Sequence, residues 1–457
     1  MSVRLFPLAL AALMAAACGG GGGGTTPAPT PQEPSAGTPP APAPQEPPED
    51  PAVCSVSGQR LSVRGFMQDQ YFWHDQLGTP DTAATSMDAY FRSLLYKPAD
   101  RYSYTESTAS FDELFNQGTR TGYGYTLVWA DAAQTVLRVR SVEPLSPVGQ
   151  AGLARGDQVL AIDGYTPAQI AQGLPRPVTQ PGVTRTFRVR SAGTERTITV
   201  QSAQYALSPV QGSTVLDATR AGAPVKVGYL AYHQFVGYSR NALAQAFRSF
   251  YYAGVQELVV DLRYNGGGSV TVARDLASMI GGARTSDKLF TYLRFNSKHP
   301  ENNQSIPFTT PEALNAFALP NVSRVVVLTS RETASASELV INGLRPFMEV
   351  VLVGDTTYGK PYGFAPRDYC GTTYNAVNFE SLNAVGEGRF TSGLAAQCPA
   401  ADDLGRALGD PQEGRLRAAL SYIANGRCEA AAPQSLSSGV QRSPAFGETV
   451  APRMFVD

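Results

Sequence analysis

The stretch SRVVVLTSRETASASELVINGL, residues Ser323 to Leu344, decides the fold, because a short apolar run passes into a helical pattern through a turn of small residues. The run VVVLT predicts a buried β-strand, and the apolar residues after the turn recur at helical spacing. Ser335 to Glu338 fit the S-x-x-E capping box, in which the serine oxygen accepts a helix amide and the glutamate reaches back to the cap. A serine at a strand-to-helix turn can equally serve as a nucleophile beside helix amides. Two roles for Ser335 therefore stay open.

The same alternation of strand and helix extends around this stretch. From Val227 onward the runs VGYLAYHQF, ELVVDLR, SRVVVLTS and VVLVGDT read as strands, and the segments between them read as helices. Such a series predicts a mixed or parallel sheet covered by helices. Ligand sites in these sheets lie at the carboxyl ends of the strands.

Two other patterns precede this series. In residues 53–108 aromatic residues recur three or four apart, as in MQDQYFWHDQLG, which predicts helices. Residues 109–206 contain short β runs separated by Gly, Pro and Asp, which predicts a β-rich module. We therefore expect a multidomain α/β protein with a helical N-terminal segment (53–108), a β-rich domain (109–206), a βα-alternating mixed-sheet core (207–430) and a C-terminal extension (431–457).

The first eighteen residues, MSVRLFPLALAALMAAAC, have one arginine, a short apolar run and a small-residue end, as secretory signals do. The run ends at Cys18 behind three alanines and resembles the lipobox of bacterial lipoproteins, which implies that Cys18 is lipidated. The alternative is an ordinary signal peptide. Residues 19–52, rich in Gly and Pro, predict a disordered tether. These features predict a protein of the bacterial cell envelope, facing the periplasm or the outside, that meets the membrane through a lipid anchor only.

The bulk composition excludes some functions. Charged residues make up 16% of the 457 residues and the formal net charge is −1, which speaks against a nucleic-acid binder. Four cysteines follow Cys18, and four cysteines allow three pairings. No pair has C-x-x-C spacing and the three histidines lie apart from them, so we expect no metal site. We favour a disulfide between Cys370 and Cys398, and assign the other two, Cys54 and Cys428, to each other.

Two features besides the serine turn follow predicted strands. DLRYNGGGSV, Asp261 to Val270, leaves a strand through three glycines, whose amides can approach a ligand closely, and it fits no nucleotide-binding motif. The other is GDTTYGKPYG, which contains Lys360. Only five of the 37 basic residues are lysines, and a lysine, unlike an arginine, can lose its proton when desolvated. A solvent-facing lysine is the alternative.

Together the three features supply a hydroxyl nucleophile, an amine able to take its proton, and backbone amides for a developing oxyanion. No histidine is suitably placed in the sequence, and no G-x-S-x-G motif exists. The available residues therefore permit a Ser-Lys dyad.

Residues 109–206 resemble a PDZ domain of the bacterial protease type, through the loop Gly122-Tyr123-Gly124-Tyr125 and the segments SPVGQAGLARGD and VLAIDG. The resemblance implies that this loop and the adjoining strand bind a peptide. The alternative is a module that serves only interdomain packing.

With DLRYNGGG, ETASASE and GDTTYGK, the chain from 53 to 430 resembles the carboxy-terminal processing (tail-specific) serine proteases. The resemblance implies that Ser335 is the nucleophile, Lys360 the general base, and the amides of Gly267 and Ala336 the oxyanion hole, with no cofactor. Two positions depart from the family pattern: Gly266 stands where proline is common, and Phe364 stands where a glutamine often steadies the lysine.

The resemblance thus implies a lipid-anchored serine endopeptidase acting on peptide or protein substrates, recognised by their C-terminal tails. Because Phe364 replaces that glutamine, Glu338 or a backbone carbonyl is expected to orient Lys360. Two rival functions remain: a catalytically inactive peptide-binding adaptor lipoprotein, and a hydrolase of non-peptide esters.

Overall fold

The structure is a computed structural model that describes residues 54–131, 133–175, 178, 180–429, 446–447 and 453–456. The predicted signal sequence, Cys18 and the tether lie outside the described residues, as does most of the extension predicted at 431–457. In the part of the chain that is described, no helix is long and apolar enough to cross a membrane, and no three acidic, histidine or cysteine side chains are grouped as a metal site.

The α-helices of the described residues are α1 Val56–Gln70, α2 Met87–Ser93, α3 Thr108–Asp112, α4 Pro147–Gln150, α5 Pro167–Ala171, α6 Arg240–Tyr252, α7 Val270–Gly281, α8 Ala336–Leu344 and α9 Gly414–Asn425. A π-helical turn follows α3 at Glu113–Gln117, and 3-10 turns lie at Gly237–Ser239, Gly282–Arg284, Pro300–Asn302 and Glu312–Leu314.

The strands are β1 Tyr104–Ser107, β2 Thr119–Gly122, β3 Tyr125–Trp129, β4 Leu137–Val142, β5 Gln158–Ile162, β6 Thr184–Ser191, β7 Thr194–Gln201, β8 Ala203–Ala206, β9 Val210–Arg220, β10 Ala223–Tyr232, β11 Glu257–Asp261, β12 Gly267–Ser269, β13 Leu289–Phe295, β14 Gln304–Pro307, β15 Arg324–Thr329, β16 Glu349–Gly354, β17 Tyr362–Phe364, β18 Arg367–Tyr369, β19 Thr372–Asn375, β20 Val377–Leu382, β21 Cys398–Pro399, β22 Phe446–Gly447 and β23 Arg453–Phe455.

The core sheet has the strand order β21-β16-β15-β11-β10-β9. Strands β10, β11, β15 and β16 run parallel, and β9 joins antiparallel at one edge. The middle strands are buried on both faces, as their unbroken Val and Leu runs predict. The prediction of a mixed α/β fold with a helical N-terminal segment is confirmed. The carboxyl ends of β11, β15 and β16 lie at the same edge of the sheet, and the three sequence features follow them.

A second sheet has the order β12-β23-β17-β20-β13-β14. Its residues Phe290, Phe379 and Met454 belong to the same apolar cluster as residues of the core sheet. The N-terminal helices pack on the second sheet, because Phe66, Phe91 and their neighbours share one apolar cluster with Tyr362 and Phe364 of β17. Trp73 contributes to this packing through an edge contact with the Tyr362 ring, 5.0 Å between centroids.

The β-rich residues form a sheet in the order β22-β3-β4-β5-β6-β7, with a core of its own. Its neighbouring strands are antiparallel throughout. The terminal strand β22 comes from the end of the chain, and the last strand, β23, joins the second sheet.

The predicted disulfide between Cys370 and Cys398 is wrong. Cys54 pairs with Cys370, and Cys398 pairs with Cys428, with Cα separations of 5.5 and 5.2 Å. Cys370 lies between β18 and β19, and the disulfide holds Cys54, two residues before α1, beside this turn. Cys398 lies at the far edge of the core sheet, beside α9. Sequence spacing carries no information about these long-range contacts.

Candidate active site

The turn between β15 and α8 holds Ser335 in a backbone conformation that few non-glycine residues adopt. Its φ is +63° and its ψ is −115°, and a conformation of this kind costs about 1–3 kcal/mol unless surrounding contacts enforce it. The N–H of Ala334 and the Oγ of Ser337 donate to the carbonyl oxygen of Asn265, at 3.1 and 3.0 Å. The strained turn is thus fixed against the glycine loop that follows β11.

The side chain of Ser335 is fully buried, and its Oγ has no hydrogen-bond partner among the described residues. Leaving a buried hydroxyl without a partner costs about 1–3 kcal/mol, so such groups are uncommon. The turn has the outline of a capping box, but Ser335 makes no side-chain cap hydrogen bond. The hydrogen bond that Glu338 contributes to a capping box is formed, since its carboxylate accepts the Ser335 N–H at 2.8 Å. This arrangement favours the nucleophile over the cap for the Ser335 oxygen.

The carboxylate of Glu338 joins the serine turn to the lysine turn. One of its oxygens accepts the backbone N–H of both Ser335 and Lys360, each at 2.8 Å. The other oxygen accepts the Gly359 N–H at 2.7 Å and the Thr357 hydroxyl at 2.5 Å. Two residues that lie 25 positions apart in the sequence are therefore held by a single carboxylate.

Glu338 itself is buried and its pKa is shifted. Burial raises the pKa of this carboxyl group, and the hydrogen bonds from Thr357 and from three backbone N–H groups oppose the rise. Four donors around one carboxylate are the usual way in which a protein keeps such a buried acid in place.

Lys360 is fully buried and lies in the turn that follows strand β16 of the core sheet. Its Nζ lies 3.8 Å from the centroid of the Phe364 ring, a distance at which the ring face attracts a cation. The side chain at the position that departs from the family pattern therefore contacts the lysine directly. Lys360 is oriented from two sides: Glu338 holds its backbone, and Phe364 lies against its amine.

The lysine turn also receives hydrogen bonds from the end of the helical N-terminal segment. The Tyr102 hydroxyl donates to the Gly359 carbonyl at 2.8 Å, and the Arg101 guanidinium donates to the Tyr358 and Thr391 carbonyls at 3.0 and 2.9 Å. No sequence motif predicts these contacts. An aromatic residue with a donor group at the end of a distant helical segment is only a weak indication of them.

Gly267 lies in the glycine loop, and its backbone N–H already has a hydrogen-bond partner. Its N–H, expected to form part of the oxyanion hole, donates to the Asn265 side-chain oxygen at 2.9 Å. Gly268 has a φ of +138°, and an added Cβ there would lie 2.0 Å from the Phe235 carbonyl oxygen. The second expected donor, Ala336, is the buried first residue of α8, directly after Ser335.

Residues 226–373 match the model of peptidase family S41, and residues 62–104 match the model of the peptidase S41 N-terminal domain. We refer to residues 226–373 as the S41 domain, after the family model that they match. The matched range contains Gly267, Ser335, Glu338 and Lys360.

Several known proteins resemble the chain beyond this domain. Carboxyl-terminal-processing peptidase 1 from the chloroplast of Arabidopsis thaliana is 26% identical over 316 residues, which cover 67% of this chain and 61% of that protein. The carboxyl-terminal-processing protease of Picosynechococcus is 30% identical over 230 residues, 49% of this chain and 51% of that protein. The chain thus spans about half to three-fifths of the length of these curated relatives.

A solved structure supports the fold. The crystal structure of a Bacteroides fragilis protein described as an S41 protease has a TM-score of 0.64 and 27% identity, and the match covers 79% of this chain and 96% of that one. The expected mixed-sheet protease fold is therefore confirmed.

Outside the S41 domain, the loop Gly122-Tyr123-Gly124-Tyr125 lies between β2 and β3. The rings of Tyr123 and Tyr125 pack against Phe187 in the core of the β-rich sheet. Gly124 has a φ of +87°, and its carbonyl accepts the Glu143 N–H at 2.9 Å. Because the two tyrosines face inward, a ligand at this loop would meet the backbone and the edge of β3.

Two arginines connect the β-rich module to the S41 domain. Arg140 of β4 forms an ion pair with Glu332, three residues before Ser335. Arg155 donates to the Tyr264 hydroxyl at 2.5 Å and pairs with Asp402, also at 2.5 Å. Since Tyr264 opens the glycine loop, the module contacts both the serine turn and that loop.

A buried ion network supports the start of the glycine loop. Arg263 is fully buried between Asp261 and Glu413, whose carboxylate accepts two bonds at 2.7 and 2.8 Å. Burial opposes ionisation of Asp261, but Arg263 outweighs it and lowers the pKa of that carboxyl group. The fully paired charges hold the carboxyl end of β11 rigidly.

A cleft lies between the module and the glycine loop, lined on one side by Gly124 and Tyr125 and on the other by His233, Gly266 and Glu332. The Nε2 of His233 has no hydrogen-bond partner among the described residues. Burial lowers the pKa of His233 to about 4, so its imidazole is neutral at physiological pH. No motif in the sequence points to this residue.

Proposed function

We propose that the chain is a serine endopeptidase in which Ser335 is the nucleophile and Lys360 is the general base. The observation that carries the proposal is the shared carboxylate: one oxygen of Glu338 accepts the N–H groups of both residues, and both side chains are fully buried. An amine that is shielded from water loses its proton more easily and can then act as a base near neutral pH.

The Ser335 Oγ has no hydrogen-bond partner among the described residues, so the proposed reaction requires its hydroxyl and the Lys360 amine to approach each other when substrate binds. The Ser335 Oγ attacks the carbonyl carbon of the scissile peptide bond while its proton passes to the Lys360 Nζ. The resulting ammonium then protonates the leaving amine, and the acyl group stays on Ser335. In the second half, Lys360 takes a proton from water as that water attacks the acyl-enzyme, and it returns the proton to Ser335.

The oxyanion of each tetrahedral intermediate needs two donors. The N–H of Ala336 lies at the start of α8, where the helix dipole also favours negative charge. The N–H of Gly267 is the second donor in this proposal, and it must turn from the Asn265 oxygen toward the substrate. The glycines on either side permit that rotation because they lack a Cβ.

We further propose that the β-rich residues 109–206 act as a PDZ-like domain that captures the C-terminal tails of substrates. The names of the relatives, carboxyl-terminal-processing proteases, support this substrate class. The backbone at Gly122–Tyr125 and the edge of β3 would hold the tail by strand addition. Lipidation at Cys18 and a place in the bacterial cell envelope complete the proposal.

The test is cleavage of a denatured model protein by purified variants. Ser335→Ala and Lys360→Ala should each lower kcat at least about 1000-fold, and Lys360→Arg should be nearly as inactive because arginine cannot act as the base. Lys226→Ala, which alters an exposed ion pair with Asp217, is the matched control and should keep wild-type activity. Full activity of Lys360→Arg would refute the dyad.

A serine-reactive acylating probe separates the rival functions. Labelling of Ser335 together with peptide cleavage supports the endopeptidase. Labelling with turnover of esters alone supports the hydrolase of non-peptide esters. Absence of labelling in a protein that still binds peptides supports the inactive adaptor, for which the Gly267 contact with Asn265 would then be permanent.

A further inference from the structure

The end of the chain pairs with the strand that is expected to bind substrate tails. Strand β3 has β4 on one edge and β22 on the other. The β22 pairing is antiparallel, with Phe446 opposite Leu127 and Gly447 opposite Thr126. Since β3 begins at Tyr125, directly after the glycine-tyrosine loop, a peptide captured by strand addition would use this same edge.

The end of the chain also reaches the S41 domain. Strand β23 lies between β12, which starts at Gly267, and β17, which starts two residues after Lys360. Its register places Met454 opposite Gly268 and Phe455 opposite both Ser269 and Phe364. Strand β12 joins the second sheet through β23, so the end of the chain connects the glycine loop to the lysine side of the site.

The two contacts differ in how firmly they are held. Met454 is fully buried in the main apolar core, and the Phe455 ring lies 4.5 Å from the Phe115 ring. This packing makes β23 a fixed part of the fold. Strand β22 is only two residues long, and a two-residue edge pairing is easily exchanged for another strand.

One edge of a strand can pair with one partner at a time, so β22 and a substrate tail exclude each other on β3. We propose that residues Phe446 and Gly447 are an internal ligand of β3, and that a substrate tail must displace them before it is cleaved. The inference rests on the proposed function for its consequence in catalysis, although the binding itself does not require catalysis.

The geometry also defines the class of ligand. The pairing is made by the main chain and runs antiparallel to β3, so a competing substrate must offer an extended segment without proline at the paired positions. An internal ligand has an effective concentration of about 1 mM. Only tails present at high local concentration, or bound by additional contacts, will displace it.

The experiment compares two double variants in a Ser335→Ala background. Phe446→Pro with Gly447→Pro removes the N–H that faces β3, since one of two consecutive strand residues directs its N–H to a given neighbour. Phe446→Ala with Gly447→Ala keeps both N–H groups and is the matched control. Hydrogen exchange of the segment Tyr125–Trp129 measures occupancy of the edge without any need for activity.

We expect the proline variant to exchange the β3 amides at least about tenfold faster than the parent, and the alanine variant to match the parent. With Ser335 restored, the proline variant should have a KM for tail peptides that is about tenfold lower, at unchanged kcat. The reason is that β22 no longer occupies the edge of β3 to which the peptide binds. Equal exchange in the parent and the proline variant would overturn the inference, whether or not the protein cleaves peptides. Absence of cleavage with faster exchange would overturn only the proposed function.

Discussion

A single buried carboxylate, that of Glu338, accepts four hydrogen bonds and holds the two expected catalytic residues in register. The carboxylate thus fixes the backbone of Lys360, while the Phe364 ring lies against the lysine amine.

We therefore predict that Glu338→Gln is strongly damaging although it preserves size. The glutamine NH2 group would replace a carboxylate oxygen that accepts two hydrogen bonds, so it would face two donors. Each donor left unsatisfied lowers the unfolding free energy by about 1–3 kcal/mol. Urea denaturation should show this loss, and kcat should fall at least about 100-fold. Glu301→Gln, at a largely exposed position, should change neither quantity.

His233 leads to a prediction about pH. Burial is the main cause that lowers its pKa from 6.5 to about 4, and Arg140, Arg263 and Arg155 act in the same direction while Asp261 opposes them. Above pH 6.5 the residue is neutral in both folded and unfolded chains. As the pH falls from 6.5 toward 4, only the unfolded chain gains the proton, so stability is lost, by up to about 3 kcal/mol.

The check is the difference in unfolding free energy between wild type and His233→Gln, measured from pH 7.5 to pH 4.5. Other titrating groups cancel in this difference, so wild type should lose stability relative to the variant as the pH falls. A difference that stays constant over the range would contradict the assigned burial of the imidazole.

Among the elements, the helical N-terminal segment contributes directly to the lysine turn. Tyr102 donates its hydroxyl to the Gly359 carbonyl, and Gly359 precedes Lys360. Tyr102→Phe should lower unfolding free energy by about 0.5–1.5 kcal/mol and reduce kcat more than KM, because the lysine turn loses a restraint. Tyr251→Phe, at an exposed site, is the control. A KM effect alone would indicate that the segment acts on substrate binding instead.

The two disulfides should differ in their contributions. Cys54–Cys370 closes a loop of 316 residues and Cys398–Cys428 one of 30, and in the chain-entropy account the longer loop restricts the unfolded chain more. Replacing the first pair by serine should cost about 2 kcal/mol more unfolding free energy than replacing the second pair. Non-reducing peptide mapping gives the pairing itself, and a Cys370–Cys398 peptide would refute this structure.

For the molecule as a whole, three separate parts of the described chain meet at the candidate active site. The helical segment reaches the lysine turn through Arg101, the β-rich module reaches the glycine loop through Arg155, and the end of the chain joins that loop through β23. The candidate site is therefore assembled from these three parts of the described chain.

Local patterns predicted the parts of this assembly that depend on short stretches. The positions of Ser335 after β15 and of Lys360 after β16 were predictable. Buried strands are recognisable in the sequence as Val-rich runs, and Gly and Ser mark their carboxyl ends. The long-range contacts were not predictable in this way. The Cys54–Cys370 pairing, the Tyr102 hydrogen bond and the Asn265 contact with Gly267 depend on how distant segments pack, and several partners of equal chemistry were open to each.

The central claim is that Ser335 forms a covalent acyl intermediate with Lys360 as its base. The most direct measurement is mass spectrometry of the intact protein after reaction with a serine-acylating probe, followed by peptide mapping. We expect a single adduct on Ser335 in wild type, with a labelling rate at least about 100-fold lower in Lys360→Arg. An adduct on another residue, or equal labelling of the Lys360→Arg variant, would contradict it.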